Sequence, residues 1–129
     1  MKVLALDYGS ARTGVAVSDE TGTLARPVGV VERASTRAGL ERVAALVAEH
    51  GAERVVVGLP LTLKGERGEQ ARETEAYATA LAGIVSVPVE LYDERFTTTL
   101  AARTSSSEMP EDALAAAHLL AGYLERVGA

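Results

Sequence analysis

Two short apolar runs open the chain, Val3-Leu4-Ala5-Leu6 and Val15-Ala16-Val17, each bounded by polar or turn-forming residues. Their length and flanks predict buried strands over about residues 2–7 and 13–18, joined by a turn from Gly9 to Arg12. A third strand is expected over about 24–32, where Pro27 suits an edge strand or a bulge. The period then changes. Leu40, Val43, Ala44 and Val47 recur at helical spacing, with Ser35 or Thr36 placed to cap the start and Gly51 to end the helix. Residues 54–59, with Val55-Val56-Val57 inside, read as a short buried strand ended by Gly58 and Pro60. A helix over about 69–81 follows from its Ala, Glu, Gln and Arg content, and another strand over 87–92. Helix-like segments then flank Ser105-Ser106-Ser107, and a final helix over about 111–126 lines up Leu114, Ala117, Ala121 and Leu124. The order β-β-β-α-β-α-β-α-α predicts an α/β fold, a mixed five-stranded sheet with helices packed on it.

Composition narrows the class. At 129 residues the chain is expected to form a single domain, 1–129, with no linker, repeat or low-complexity tract. Without cysteine, disulfides and thiolate metal sites are excluded, so a metal would need oxygen or imidazole ligands. No secretion leader is visible and no apolar stretch reaches the ~18 residues of a membrane span, so the expected location is the cytoplasm, with no membrane partner. The net charge of −5 argues against a general nucleic-acid coat protein, which would be basic. A carboxylate cluster that binds cations would account for part of that charge.

Candidate chemistry lies at element boundaries. Asp7 ends the first strand and is followed by Tyr8-Gly9-Ser10-Ala11-Arg12-Thr13-Gly14, an arrangement suited to holding a metal against phosphate. Asp93 and Glu94 end the last strand, within Tyr92-Asp93-Glu94-Arg95-Phe96-Thr97-Thr98. Asp112 falls in the first turn of the last helix. Carboxyl ends of strands meet in one crevice, and carboxylates gathered there can hold divalent ions for phosphodiester displacement. The plainer readings are a helix-end acid at Asp112, a solvated turn at 93–95, and surface ion pairs for Arg12 and Arg95. The loop 58–68 carries Lys64 and Arg67, which could meet a backbone phosphate. It lacks the Gly-Lys-Ser/Thr ending of a nucleotide-binding P-loop. His118, six residues after Asp112, is set on a different helix face by ~100° per residue and is read as packing or surface. His50, beside Gly51, reads as a helix-end charge.

Four blocks, taken together, resemble the YqgF/RuvX family in order and spacing: Asp7-Tyr8-Gly9 through Asp19, Val57-Gly58-Leu59-Pro60-Leu61, Asp93-Glu94-Arg95-Phe96-Thr97-Thr98, and Asp112-Ala113-Leu114-Ala115-Ala116 with Tyr123-Leu124. The resemblance implies an RNase H-like fold and a nuclease acting in 5′-end maturation of pre-16S rRNA, or a Holliday-junction resolvase by analogy with RuvC. It implies Asp7, Glu94 and Asp112 as catalytic, metal-binding acids, with Asp93 a weaker candidate ligand. Asp7 would bridge two Mg²⁺ or Mn²⁺ ions, with Glu94 and Asp112 each completing one coordination sphere. Gly9, Arg12, Lys64, Arg95, Thr97 and Thr98 are the expected substrate contacts, Gly9 and Lys64 from the residue reading and the others from the resemblance. The implied partner is nucleic acid, RNA before DNA, with ribosome-assembly partners; monomer and homodimer both stay open.

One departure bears on the substrate. The connection 100–111 is shorter than is usual in the family and has Arg103 as its one base, and 93–129 holds six acids against three bases. Binding a duplex or four-way junction requires neutralising many phosphates, so single-stranded RNA or DNA is the better expectation. Two other classes share the opening motif. The sugar-kinase, actin and Hsp70 superfamily encloses ATP between two such domains, where this chain has length for one. A non-catalytic RNA- or protein-binding factor would have no reason to gather acids in one crevice.

Overall fold

The computed structural model describes residues 1–61, 64–94 and 109–127. Five strands, β1 (Val3–Asp7), β2 (Arg12–Ser18), β3 (Ala25–Glu32), β4 (Arg54–Leu59) and β5 (Val89–Asp93), form one sheet in the order β3-β2-β1-β4-β5. The first three make the antiparallel meander, and β1, β4 and β5 run parallel. Three helices, α1 (Arg37–His50), α2 (Glu69–Ala82) and α3 (Glu111–Val127), complete the described elements. The helix expected between the last strand and the final helix lies outside the described residues.

Local chemistry explains the boundaries. Thr36, not Ser35, caps α1, its hydroxyl oxygen accepting from the Gly39 N–H at 3.1 Å. Pro27 sits on the edge strand β3, where a missing N–H costs no ladder bond. The register there steps from Val15 opposite Gly29 to Ala16 opposite Pro27, which makes Val28 the extra residue of a bulge.

Strand alternation divides the core into two layers. Leu4, Leu6, Val15, Val55 and Val57 face α1 and α2, packing with Val43, Leu46, Tyr77 and Leu81. Val3, Ala5, Ala16, Val56 and Tyr92 face α3, packing with Ala116, Leu120 and Tyr123. Truncation of the fully buried Leu120 to Ala would cost about 2–5 kcal/mol. Close approach of α3 depends on Gly14, because a Cβ there would lie 1.7 Å from the Asp112 carbonyl oxygen. Among the described residues no helix is long and apolar enough to cross a membrane.

Candidate active site

Alternation also decides which acids meet. On β1, Val3 and Ala5 face α3, so Asp7 does as well; on β5, Tyr92 faces α3, and the same parity carries Glu94 to that side. Between them stands Gly58 on β4. A side chain there would collide with Glu94, a Cβ falling 2.7 Å from Oε1 and 2.9 Å from Cγ. The missing side chain at Gly58 is therefore the space in which Glu94 reaches toward Asp7.

The two carboxyl groups are close enough to share a proton. Glu94 is pushed up to about 7, first by burial, then by the negative charge of Asp7, by the hydrogen bond it donates to Asp7, and by Asp93. Asp7 is also raised, by burial and by the charge of Asp112, while the hydrogen bond from Glu94 works in the opposite sense. Two half-buried acids held so closely without a cation are a strained electrostatic arrangement.

Two cavities open on this pair. One, about 230 Å³, lies against α3 and is lined by Asp7, Glu94, Ala115, His118 and Leu119. The other, about 190 Å³, lies against α2 and the β1–β2 turn, where Tyr8, Gly9, Ser10, Pro60, Gln70, Glu73 and Thr74 join Asp7 and Glu94. Among the described residues, no Lys or Arg lines either cavity.

The remaining candidates are placed differently from the sequence expectation. Asp112 acts on Asp7 through its charge but sits on the β2 side, where its Oδ2 lies 3.0 Å from Arg12 Nε. That Oδ2 has no partner in hydrogen-bond geometry, so the pair is coulombic contact without an aligned N–H. Arg12 is thus turned to Asp112 rather than held open for substrate. Asp93 lies on the opposite strand face by alternation, raises Glu94 through its charge, and lines neither cavity. Gly9 lines the second cavity, but its N–H meets Thr13 Oγ1 at 3.3 Å and the Arg12 carbonyl oxygen would lie 2.5 Å from a Cβ, so glycine is required there by the hairpin itself. Lys64 is exposed and lines neither cavity. Arg95, Thr97 and Thr98 lie outside the described residues.

His118 is the residue that sequence reasoning missed. Its ring lines the first cavity, and its Nε2 is enclosed without a hydrogen-bond partner. The helical angle does separate it from Asp112, which lies against Arg12 of β2 while His118 lines the cavity with Asp7 and Glu94. The three-residue step from Ala115 to His118, which places both on one wall, is the signal that could have found it.

The donor set can be tested against a divalent cation. Among the described residues no three His, Asp or Glu side chains close on a single point, which disfavours an all-protein cage of the zinc or calcium kind. Mg²⁺ is characteristically held by one or two carboxylates, with water and substrate phosphate filling the other positions. Asp7 and Glu94, two half-buried carboxyl groups raised first by burial and set against one another, fit that pattern.

Comparison with known proteins places these features in context. A family model described as "RuvX: Holliday junction resolvase" matches residues 1–126. A protein of Chloroflexus aggregans with the provisional name pre-16S rRNA nuclease is 37% identical over 131 residues, covering 95% of this chain and 92% of that one. A protein of the same provisional name from Moorella thermoacetica is 36% identical, covering 99% and 97%. Among solved structures, Thermus thermophilus RuvC in complex with a Holliday junction substrate superposes with a TM-score of 0.65 at 21% identity, covering 98% of this chain and 96% of that one. A Fowlpox virus resolvase bound to Holliday junction DNA gives 0.58 at 13% identity, covering 98% and 99%. At these identities the structural likeness establishes the RNase H-like fold of the resolvases.

Proposed function

The chain belongs to the RuvX family, and from that membership and the paired acids we propose that it is a divalent-metal-dependent nuclease trimming the 5′ end of pre-16S rRNA. The observation that carries the chemistry is the Asp7–Glu94 pair, two half-buried acids acting on one another and opening on two cavities. The names of the full-length relatives support the substrate. Mg²⁺ or Mn²⁺, when bound there, supplies charge neutralisation of the phosphodiester and activation of a water.

The chain's own residues do the rest. Asp7, fixed at a strand end, and Glu94, seated over Gly58, orient the cation and set its distance from the reacting phosphate. Glu94 must give up its proton before it can ligate, so cation affinity rises with pH through about 7. Asp112 stands on the far side of Asp7, where a second ion would have to compete with Arg12. Among the described residues neither cavity wall holds a Lys or Arg, and the scarcity of bases over 93–129 favours a short flexible strand over a four-way junction.

The test is cleavage of a labelled single-stranded RNA carrying a 16S precursor 5′ end, beside a labelled four-way DNA junction, at matched salt with Mg²⁺ or Mn²⁺. Metal-dependent cleavage of the RNA that is lost in Asp7→Asn supports the assignment. Preference for the junction would favour the resolvase reading suggested by the family's description, and full activity in Asp7→Asn would remove the mechanism.

A further inference from the structure

The α3 wall of the first cavity holds a polar group that the proposed chemistry does not use. Of the five lining residues, Asp7 and Glu94 form one side, and Ala115, His118 and Leu119 come from α3. Ala115 and Leu119 offer only apolar surface, so among these lining residues the His118 imidazole is the one polar group contributed by α3. Its Nε2 is enclosed and has no hydrogen-bond partner, although buried polar nitrogens nearly always have one. Leucine would fill that place at no polar cost.

The spacing across the cavity indicates what the ring meets. Among the described residues no three potential ligands close on one point, so His118 does not complete a cage with Asp7 and Glu94. The intervening volume of about 230 Å³ is room for several waters at about 30 Å³ each, and therefore for a phosphoryl group. A phosphodiester held over two carboxylates needs donors on its other side, and among the described residues neither cavity has a Lys or Arg in its wall. An imidazole has at least one N–H in every protonation state. Which ring positions are nitrogen and which carbon is an assignment, and the half-turned imidazole places Nε2 where a ring carbon otherwise stands.

We propose that His118 contacts the substrate, its imidazole N–H donating from α3 to a non-bridging oxygen of the phosphodiester positioned over Asp7 and Glu94. The proposal rests on the nuclease reading above and adds to it a donor from α3 to the reacting phosphate.

The experiment compares His118→Leu, which fills the space without a donor, with His118→Gln, which keeps an N–H. With single-stranded RNA and Mg²⁺, His118→Leu should lower kcat/KM by about tenfold to a hundredfold, with its thermal midpoint unchanged or raised. His118→Gln should recover most of the loss. A second readout uses the wild-type protein labelled with ¹⁵N-histidine. The chain has two histidines, so a His50→Gln sample identifies the His118 ring resonance. That resonance should shift when RNA is added with Ca²⁺ in place of Mg²⁺ to hold cleavage back. Unchanged kcat/KM in His118→Leu, or a His118 resonance indifferent to saturating RNA, overturns the proposal. Asp7→Asn separates the two levels: inactive Asp7→Asn beside fully active His118→Leu removes His118 alone, whereas active Asp7→Asn removes the nuclease mechanism beneath it.

Discussion

Glu90 on the edge strand β5 and Glu94, one residue past its end, are four residues and about 13 Å apart, yet their surroundings are opposite. Glu90 is fully answered: Tyr123 donates to its Oε1 at 3.0 Å, Arg54 lies 3.3 Å away, and Arg54 also donates to the Tyr123 oxygen at 2.9 Å. Glu94 faces Asp7, another acid, with an unpartnered imidazole on the adjoining wall. The Glu90 cluster fastens α3 to β4 and β5 at the amino edge of the parallel strands. The Glu94 cluster, at the carboxyl edge, costs stability and fastens nothing. Polar groups left short of partners on a scaffold that satisfies its others mark the place where a ligand belongs.

The contrast can be broken most severely at Asp7. Asp7→Asn should lower metal-dependent cleavage at least about a thousandfold, as loss of a group acting on transition-state charge does, while raising the thermal midpoint of the metal-free protein by relieving repulsion with Glu94. Activity assays and melting curves on one preparation check both signs. A smaller loss is expected from Gly58→Ala, whose new methyl displaces the Glu94 carboxylate. Misplacement by about an ångström costs up to about a hundredfold in rate, and kcat measured at saturating metal reads it.

At the other cluster the expectation inverts. Tyr123→Phe strips Glu90 and Arg54 of a shared partner and should cost about 1–3 kcal/mol by urea unfolding, with cleavage unaffected. The pH dependence of stability separates the two ends further. A carboxyl raised from 4.5 to about 7 by folding holds its proton more tightly in the native state than in the unfolded one. Metal-free protein should therefore lose stability as pH climbs through that interval, and added Mg²⁺ should restore it at the upper end. Arg12→Ala should change stability least, by under about 1 kcal/mol, because the guanidinium is largely exposed.

Much of this arrangement was legible in the sequence, for identifiable reasons. Short apolar runs bounded by turn residues located the strands, and helical spacing or helix-favouring composition located the three helices. Pro27 pointed to an edge strand, while the cap was narrowed only to Ser35 or Thr36. Asp7 and Glu94 were found because strand ends at the carboxyl edge meet. Which neighbour of a strand-end acid turns inward, Glu94 rather than Asp93, depends on parity across β5, which a one-residue error in the strand's end would reverse. The sequence also could not show that Arg12 leans on Asp112, since the two are far apart in the chain and meet only because Gly14 lets α3 approach. His118 read as packing or surface, and its place opposite Asp7 and Glu94 follows only from how α3 packs on the sheet.

The most direct measurement is a crystal soaked in Mn²⁺ and recorded at a wavelength where manganese scatters anomalously. A peak about 2.1 Å from carboxylate oxygens of both Asp7 and Glu94 is the predicted result. An empty difference map at that pair, with manganese bound only at surface acids, would contradict the claim that their unanswered charge awaits a cation.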